Sequence, residues 1–447
     1  MSKKIFVILL SILGIAAIFG IGMQMANANA NTKTQDHRQV ITFWHAMGGA
    51  NKVALEKLVA EYNKSQTKYE IIPSFQGTYA ENLAKYQSVA GSPSAPDLVQ
   101  VPEVGTQTMI DNKNYIPAYK LFEQDGVTLN NIEKPISAYY SLDGKLQSIP
   151  FNSSTPVMFY NKDVLKSVGY NSFPKTYEEI ADIGRKLKEK GSKTKSFSLQ
   201  VYGWLFEELI ANQGNFLMNN DNGKTGVPTK VSFNNADTRY MLTWVQNMLK
   251  DGTAVNYSTN ENDLTAGFLK QDVAMIFASS SSANQIFKTA KFNVGIGYLP
   301  IPEKKQTRTG VAIGGASVWI TKGKSKSETN GAWDFMKFML KPASQAKWSL
   351  ATGYFPVNKL AYNEDLMKKA YAKNPELQQA ANQLHDTKNV PQTQGVLTNV
   401  ITESRSIEEA GMDSIFNGAN VTKTLDKVST DVNNALLQSN RSNGKLQ

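Results

Sequence analysis

An α/β architecture built from more than one unit is what the sequence predicts, on three observations. Strand-like and helix-like segments alternate from residue 39 onward. The 447 residues exceed what one core of ordinary size fills, which points to about two or three domains. Hydrophobic residues make up 41% of the chain and charged residues 19%, the balance of a folded protein rather than a disordered one.

The alternation begins with QVITFWHAM (Gln39–Met47), β-branched and aromatic, followed by NKVALEKLVAEYNK, in which Leu55, Leu58, Val59 and Tyr62 recur at helical spacing. YEIIPSF (Tyr69–Phe75) reads as the next strand, ENLAKYQSVA as a helix and DLVQV (Asp97–Val101) as a third strand. This order is that of a largely parallel sheet. In PFNSSTPVMFYN (Pro150–Asn161) four small polar residues, Asn152 to Thr155, interrupt an apolar run that closes on Pro156. Beyond it, Thr176 and Glu179 form a capping box, Ile180, Ile183 and Leu187 share a helix face, and Gly191 is the stop. Helices are predicted over Ala236–Lys250 and Asp263–Lys270, and strands over Asp272–Ala278, Phe292–Pro302 and Gly314–Thr321. From about Asn330 the pattern is mostly helical.

The N-terminus follows other rules. Lys3 and Lys4 precede an uncharged apolar run, Ile5–Met23, and Ala28-Asn29-Ala30 supplies small residues at cleavage spacing. This is the pattern of an export signal spanning residues 1–30, and the run is also long enough for an uncleaved anchor. The chain has no cysteine, so disulfides, thiolate metal sites, catalytic thiols and a lipidated cysteine are all excluded. Forty-eight Lys and Arg against 38 Asp and Glu leave a basic balance, which suits an anionic ligand or an anionic envelope polymer. The positive charges are dispersed, unlike a nucleic-acid-binding arm, so no nucleic-acid partner is expected.

Signals for chemistry are sparse. There is no G-x-S-x-G, H-E-x-x-H or P-loop, and His37, His45 and His385 stand far apart without carboxylates at ligand spacing. What recurs is a small polar or aromatic segment at the end of a predicted strand: QGTYAENL, VPEVGTQTM, FNSSTP, IFASSSSAN, AIGGAS and ATGYFP. Open α/β sheets bind ligands outside the carboxyl ends of their strands, so one site assembled from most of the chain is expected.

FWHAM, GTYAENL, PEVGTQTM, PFNSSTPVMFYNKD, GGASVWI and the TGYFPV–KLAY run resemble the extracytoplasmic solute-binding proteins of ABC importers, and among them the group that binds sn-glycerol 3-phosphate. The resemblance runs from about Ile41 to Leu437. It implies a two-lobed periplasmic-binding-protein-like α/β fold with the ligand in the interlobe cleft and hinge closure on binding. One lobe would comprise residues 39–150 plus 291–352 and the other 151–290 plus 353–447. It implies a non-enzymatic monomer that takes glycerol 3-phosphate or a glycerophosphodiester, without cofactor or metal, and passes it to the importer's transmembrane subunits.

Carried over by position, the ligand contacts fall on Tyr79, Glu103, Ser154, Trp204, Ser279, Gly315, Tyr354 and Arg405. Arg405 is the cation among them, suited to phosphate by its two parallel donors. Ser154, Ser279 and the Gly315 N–H are neutral donors, Glu103 is an acceptor for glycerol hydroxyls, and Trp204 and Tyr79 pack on the carbon skeleton. Val201 stands where the family has a second tryptophan, a loss that implies a roomier site able to admit a head-group diester such as glycerophosphocholine. An oligosaccharide binder of the same class, and an extracellular enzyme acting on phosphodiesters, are the competing readings. Mass spectrometry of the exported native protein is expected to find Asn31 as its first residue; a chain that begins at the initiator region would mean a retained anchor.

Overall fold

The computed structural model describes residues 37–445, so the proposed signal, residues 1–30, lies outside the described residues. Twelve strands form two sheets and one hairpin. The first sheet runs in the order β2 (Tyr69–Phe75), β1 (Gln39–His45), β3 (Leu98–Pro102), β12 (Gly314–Thr321), β4 (Tyr115–Ile116), with β7 (Ile149–Ser154) also paired to β12. The second runs β11 (Val294–Gly297), β8 (Pro156–Asn161), β10 (Val273–Ser279), β9 (Lys195–Leu199). Strands β5 (Ser141–Leu142) and β6 (Lys145–Leu146) make the hairpin.

Strands β2, β1 and β3 are parallel, as their helical connections require. The connecting helices follow from local sequence. Gly49–Ser65 buries Leu55, Leu58, Val59 and Tyr62 on one face, and Tyr79–Val89 opens with a complete Thr78–Glu81 capping box. The Thr176–Glu179 box is likewise formed at the start of the helix Tyr177–Glu189.

Four features either depart from the sequence-based expectation or were not given by it. The second sheet is mainly antiparallel, because β8 runs against both β10 and β11; only β10 and β9 are parallel. Phe151–Ser154, expected in the second lobe, pairs with β12 in the first sheet, so the chain changes sheets at Thr155. Val294–Gly297, expected in the first lobe, pairs with β8 in the second sheet. The segment after Gly353 also stays with the first sheet's elements for longer than expected: Asn358 bridges to Ile132, and the helix Asp365–Lys373 packs on Pro342–Thr352. Periodicity reports which residues form a strand, while the partner strand is chosen by distant residues.

One hydrophobic cluster passes through both sheets, from Phe43, Phe151 and Trp348 to Phe159, Ile276 and Ile296. Phe151, the residue that starts the polar crossing, stacks on Trp348 at 4.9 Å. A second cluster lies among the helices around β9 and β10, where Trp244 stacks between Tyr177 at 4.3 Å and Phe197 at 4.9 Å. Each such buried side chain stabilises by about 1.5–3 kcal/mol. The C-terminal helices Ile401–Phe416 and Val421–Ser442 pack on each other and on Gly203–Asn212 and Ala236–Lys250.

The crossing is fastened on all sides. Thr155 O accepts from Ser280 N at 2.8 Å, Ser153 O from Phe355 N at 2.8 Å, and Pro156 O from the Gln383 amide at 2.6 Å. Gln100, fully buried on β3, accepts from Ala46 N at 2.8 Å and donates to Asn152 Oδ1 at 2.7 Å, and Asn152 in turn donates to the Tyr79 hydroxyl at 2.8 Å. One buried amide therefore ties β1, β3 and β7 to a cavity residue. Gln100→Leu strands two buried groups and is expected to cost about 2–4 kcal/mol of stability, measured as a drop in the urea unfolding midpoint.

Candidate functional site

The eight residues singled out in the sequence all line one cavity of about 530 Å³. Strand ends supply half of them. Ser154 ends β7, Ser279 ends β10, Gly315 lies at the start of β12, and Glu103 opens a short turn directly after β3. Tyr79 and Trp204 sit in the first turns of their helices, Tyr354 follows the left-handed Gly353 that terminates Pro342–Thr352, and Arg405 projects from Ile401–Phe416.

Close backbone approach makes the cavity wall. Gly315 has φ +119°, and a Cβ there would stand 1.9 Å from the Asn152 carbonyl oxygen. A Cβ on Gly314 would meet the Trp204 ring at 2.7 Å, and one on Gly203 would meet Arg405 Cβ at 2.5 Å. All three positions are closed to any larger residue in this geometry.

Neutral polar groups occupy one side. Ser279 Oγ donates to Ser154 Oγ at 3.0 Å and lies 2.8 Å from Ser281 Oγ. Tyr79 and Tyr354 share Asn152 between them, and burial pushes both hydroxyls above the ordinary tyrosine value. The Trp204 indole N–H is buried and has no protein partner among the described residues. An unpaired buried donor on a cavity wall is available to whatever fills the cavity.

Charge is concentrated on the other side. The Arg405 guanidinium donates from Nη1 to Glu103 Oε1 at 3.0 Å, from Nε to Glu207 Oε1 at 2.7 Å and from Nη2 to Glu207 Oε2 at 2.9 Å. The arginine is not a solvated surface group; its side chain is 10% exposed. Burial opposes its charge, but the two carboxylates hold its pKa well above the usual value. Glu103 directly follows β3 of the first sheet, whereas Arg405 lies on Ile401–Phe416, which packs on Gly203–Asn212 and Ala236–Lys250, so this ion pair ties the end of the first sheet to the helices beside the second.

Four further residues belong to the arrangement and were not singled out in the sequence: Glu207, Asn152, Ser281 and Glu261. Glu207 was within reach, since it lies one helical turn from Trp204 in YGWLFEE. Asn152, marked in the sequence only as part of the polar interruption, joins Gln100 to Tyr79. Nothing local marks Glu261. Val201 packs in the second core at 1% exposure and does not line the cavity. Among the described residues no helix is long and apolar enough to cross a membrane, and no group of three or more potential metal ligands occurs.

Two sheets with a polar cavity at their strand ends define a solute-binding protein, and sequence comparison agrees: the chain belongs to the family of bacterial extracellular solute-binding proteins, whose pattern matches residues 57–379. Its place is therefore outside the cytoplasm. It is similar to the sn-glycerol-3-phosphate-binding periplasmic protein UgpB of Escherichia coli, with 32% identity to the protein of strain K12 and 33% to that of O1:K1, in each case over 422 residues covering 93% of this chain and 94% of the relative. Among solved structures it superposes on UgpB from Mycobacterium tuberculosis in complex with glycerophosphocholine, with a TM-score of 0.74 and 22% identity, covering 89% of this chain and 98% of that one. The sugar-binding protein MalE from Xanthomonas citri gives a TM-score of 0.73 at 19% identity, covering 91% and 100%. Identities this low establish the shared two-lobed periplasmic-binding-protein-like fold.

Behind Arg405 lie two more buried carboxyls. Burial pushes Glu408 from the ordinary 4.5 up to about 8, and raises Glu208 in the same direction. A carboxyl with a raised folded-state pKa holds its proton where the unfolded chain has released it, so stability declines as pH rises from about 4.5 to 8. Glu408→Gln, which keeps the neutral shape, is expected to flatten that decline in a series of urea melts across this window.

Proposed function

We propose that this chain captures a small phosphorylated polyol outside the membrane, either sn-glycerol 3-phosphate or a glycerophosphodiester, and hands it to the membrane subunits of an ABC importer. The observation that carries this reading is Arg405, among the described residues the one cation on the wall of a cavity that also presents hydroxyls, aromatic rings, carboxylates and aliphatic side chains. The guanidinium has two N–H groups beyond the three already engaged. Phosphate takes those donors, with Ser154, Ser279 and the Gly315 N–H as neutral partners. Glycerol hydroxyls donate to Glu103, and the carbon skeleton lies against Trp204, Tyr79 and Tyr354. The name of the Escherichia coli relatives supports this choice of ligand.

In this reading the two sheets belong to lobes that move about Thr155, and ligand contacts to both shift the pair toward closure. The Glu103–Arg405 bridge gives the closed form a contact of its own. The protein acts by binding alone, as a monomer without cofactor or metal, after export under the direction of residues 1–30.

The aromatic rings on the wall favour one alternative, an oligosaccharide stacked on Tyr79, Trp204 and Tyr354. Isothermal calorimetry separates the two. A Kd in the micromolar range or tighter, about 8 kcal/mol or more, is expected for glycerol 3-phosphate or glycerophosphocholine, with no heat from maltose or glycerol. Arg405→Ala should weaken the phosphate ligands by well over tenfold while leaving any sugar binding intact. Silence from both phosphate compounds would sink the proposal.

A further inference from the structure

Arg405 is held by a partner that does not line the cavity. Glu207 stands behind the guanidinium at 10% side-chain exposure, and its two oxygens accept from Nε at 2.7 Å and Nη2 at 2.9 Å. Two accepting oxygens in parallel are the geometry of an ionised carboxylate on a guanidinium fork. Glu103 takes a third donor from the other side. The single cation of the site is therefore flanked by two anions, and Glu261 adds a third on the wall. The fixed charges of the site sum to a negative value, and two guanidinium N–H groups remain unengaged.

A phosphate monoester carries close to two charges near neutral pH and a diester one. Each extra ligand charge meets the guanidinium and both carboxylates together, a net of about one negative charge once Arg405 offsets one of the two. At separations under about 10 Å and an effective dielectric near 20, that repulsion is worth roughly tenfold or more in affinity. Resting on the phosphate reading of the site, we propose that Glu207 is a specificity-determining residue: it fixes the Arg405 guanidinium from behind by its Nε/Nη2 edge and, by offsetting its charge, tilts selection toward singly charged glycerophosphodiesters over doubly charged phosphomonoesters. Its role differs from that of Glu103, which also faces ligand hydroxyls.

The test is calorimetry at pH 7.5 with three probes: glycerol 3-phosphate, glycerophosphoglycerol, a diester with an uncharged head, and glycerophosphocholine. The wild-type protein is expected to bind glycerophosphoglycerol at least tenfold more tightly than glycerol 3-phosphate, which separates phosphate charge from any attraction to choline. In Glu207→Gln, with a native circular dichroism spectrum, that ratio should narrow by about tenfold. A wild-type preference for the monoester, or a ratio unchanged within twofold in the variant, overturns the role of Glu207 while the phosphate reading stands. If the variant does not fold, the wild-type ratio decides alone. No binding of any of the three probes to the wild-type protein overturns the phosphate reading and this proposal together.

Discussion

The constraint on which the rest of the structure depends is the single residue, Thr155, between the last pairing position of β7 and the first of β8. Two strands that share one connecting residue cannot belong to independent sheets; the ends of both sheets must come together there. Antiparallel pairing of Gly314–Ala316 with Asn152–Ser154 then brings the start of β12 to the same place, and pairing of β10 with β8 brings Ser279. The cavity is a consequence of that convergence. Its polar floor is buried backbone and hydroxyl that every buried segment has to satisfy, put to a second use.

Burial of this polar floor explains why the crossing is so densely fastened. Asn152, Ser153, Ser154 and Thr155 are all buried, and each unsatisfied buried group would cost about 1–3 kcal/mol. The fastening comes from five separate stretches of chain, through Gln100, Gly315, Ser280, Phe355 and Gln383. If the crossing serves as the proposed hinge, these bonds confine motion of one sheet against the other to few degrees of freedom. Polar satisfaction and mechanical definition are here the same set of hydrogen bonds.

Much of this was legible in the sequence, and the unread part has a common cause. Helices such as Ala236–Lys250 and strands such as Tyr69–Phe75 follow directly from periodicity, because burial of one face is a local pattern. The eight cavity residues were found through the resemblance, and for Glu103, Ser154, Ser279 and Gly315 the physics of open sheets points to the same strand ends. What could not be read was pairing. Val294–Gly297 has the same look whether it joins one sheet or the other, and only the register with β8 decides. Glu207 escaped for the same reason, since its meaning depends on Arg405, far along the chain.

Gly203 deserves a last word in evolutionary terms. Its missing Cβ lets the helix carrying Trp204 and Glu207 rest directly on the backbone of Arg405, so positions distant in sequence are locked into a common fate. Any residue larger than glycine at 203 displaces the arginine and with it both of its carboxylate partners. A Cβ at 203 would also meet the backbone Cα of residue 405 at 2.8 Å, so a smaller side chain at 405 would not by itself relieve the contact. Val201, two residues earlier and packed in the core away from the cavity, carries no such bond.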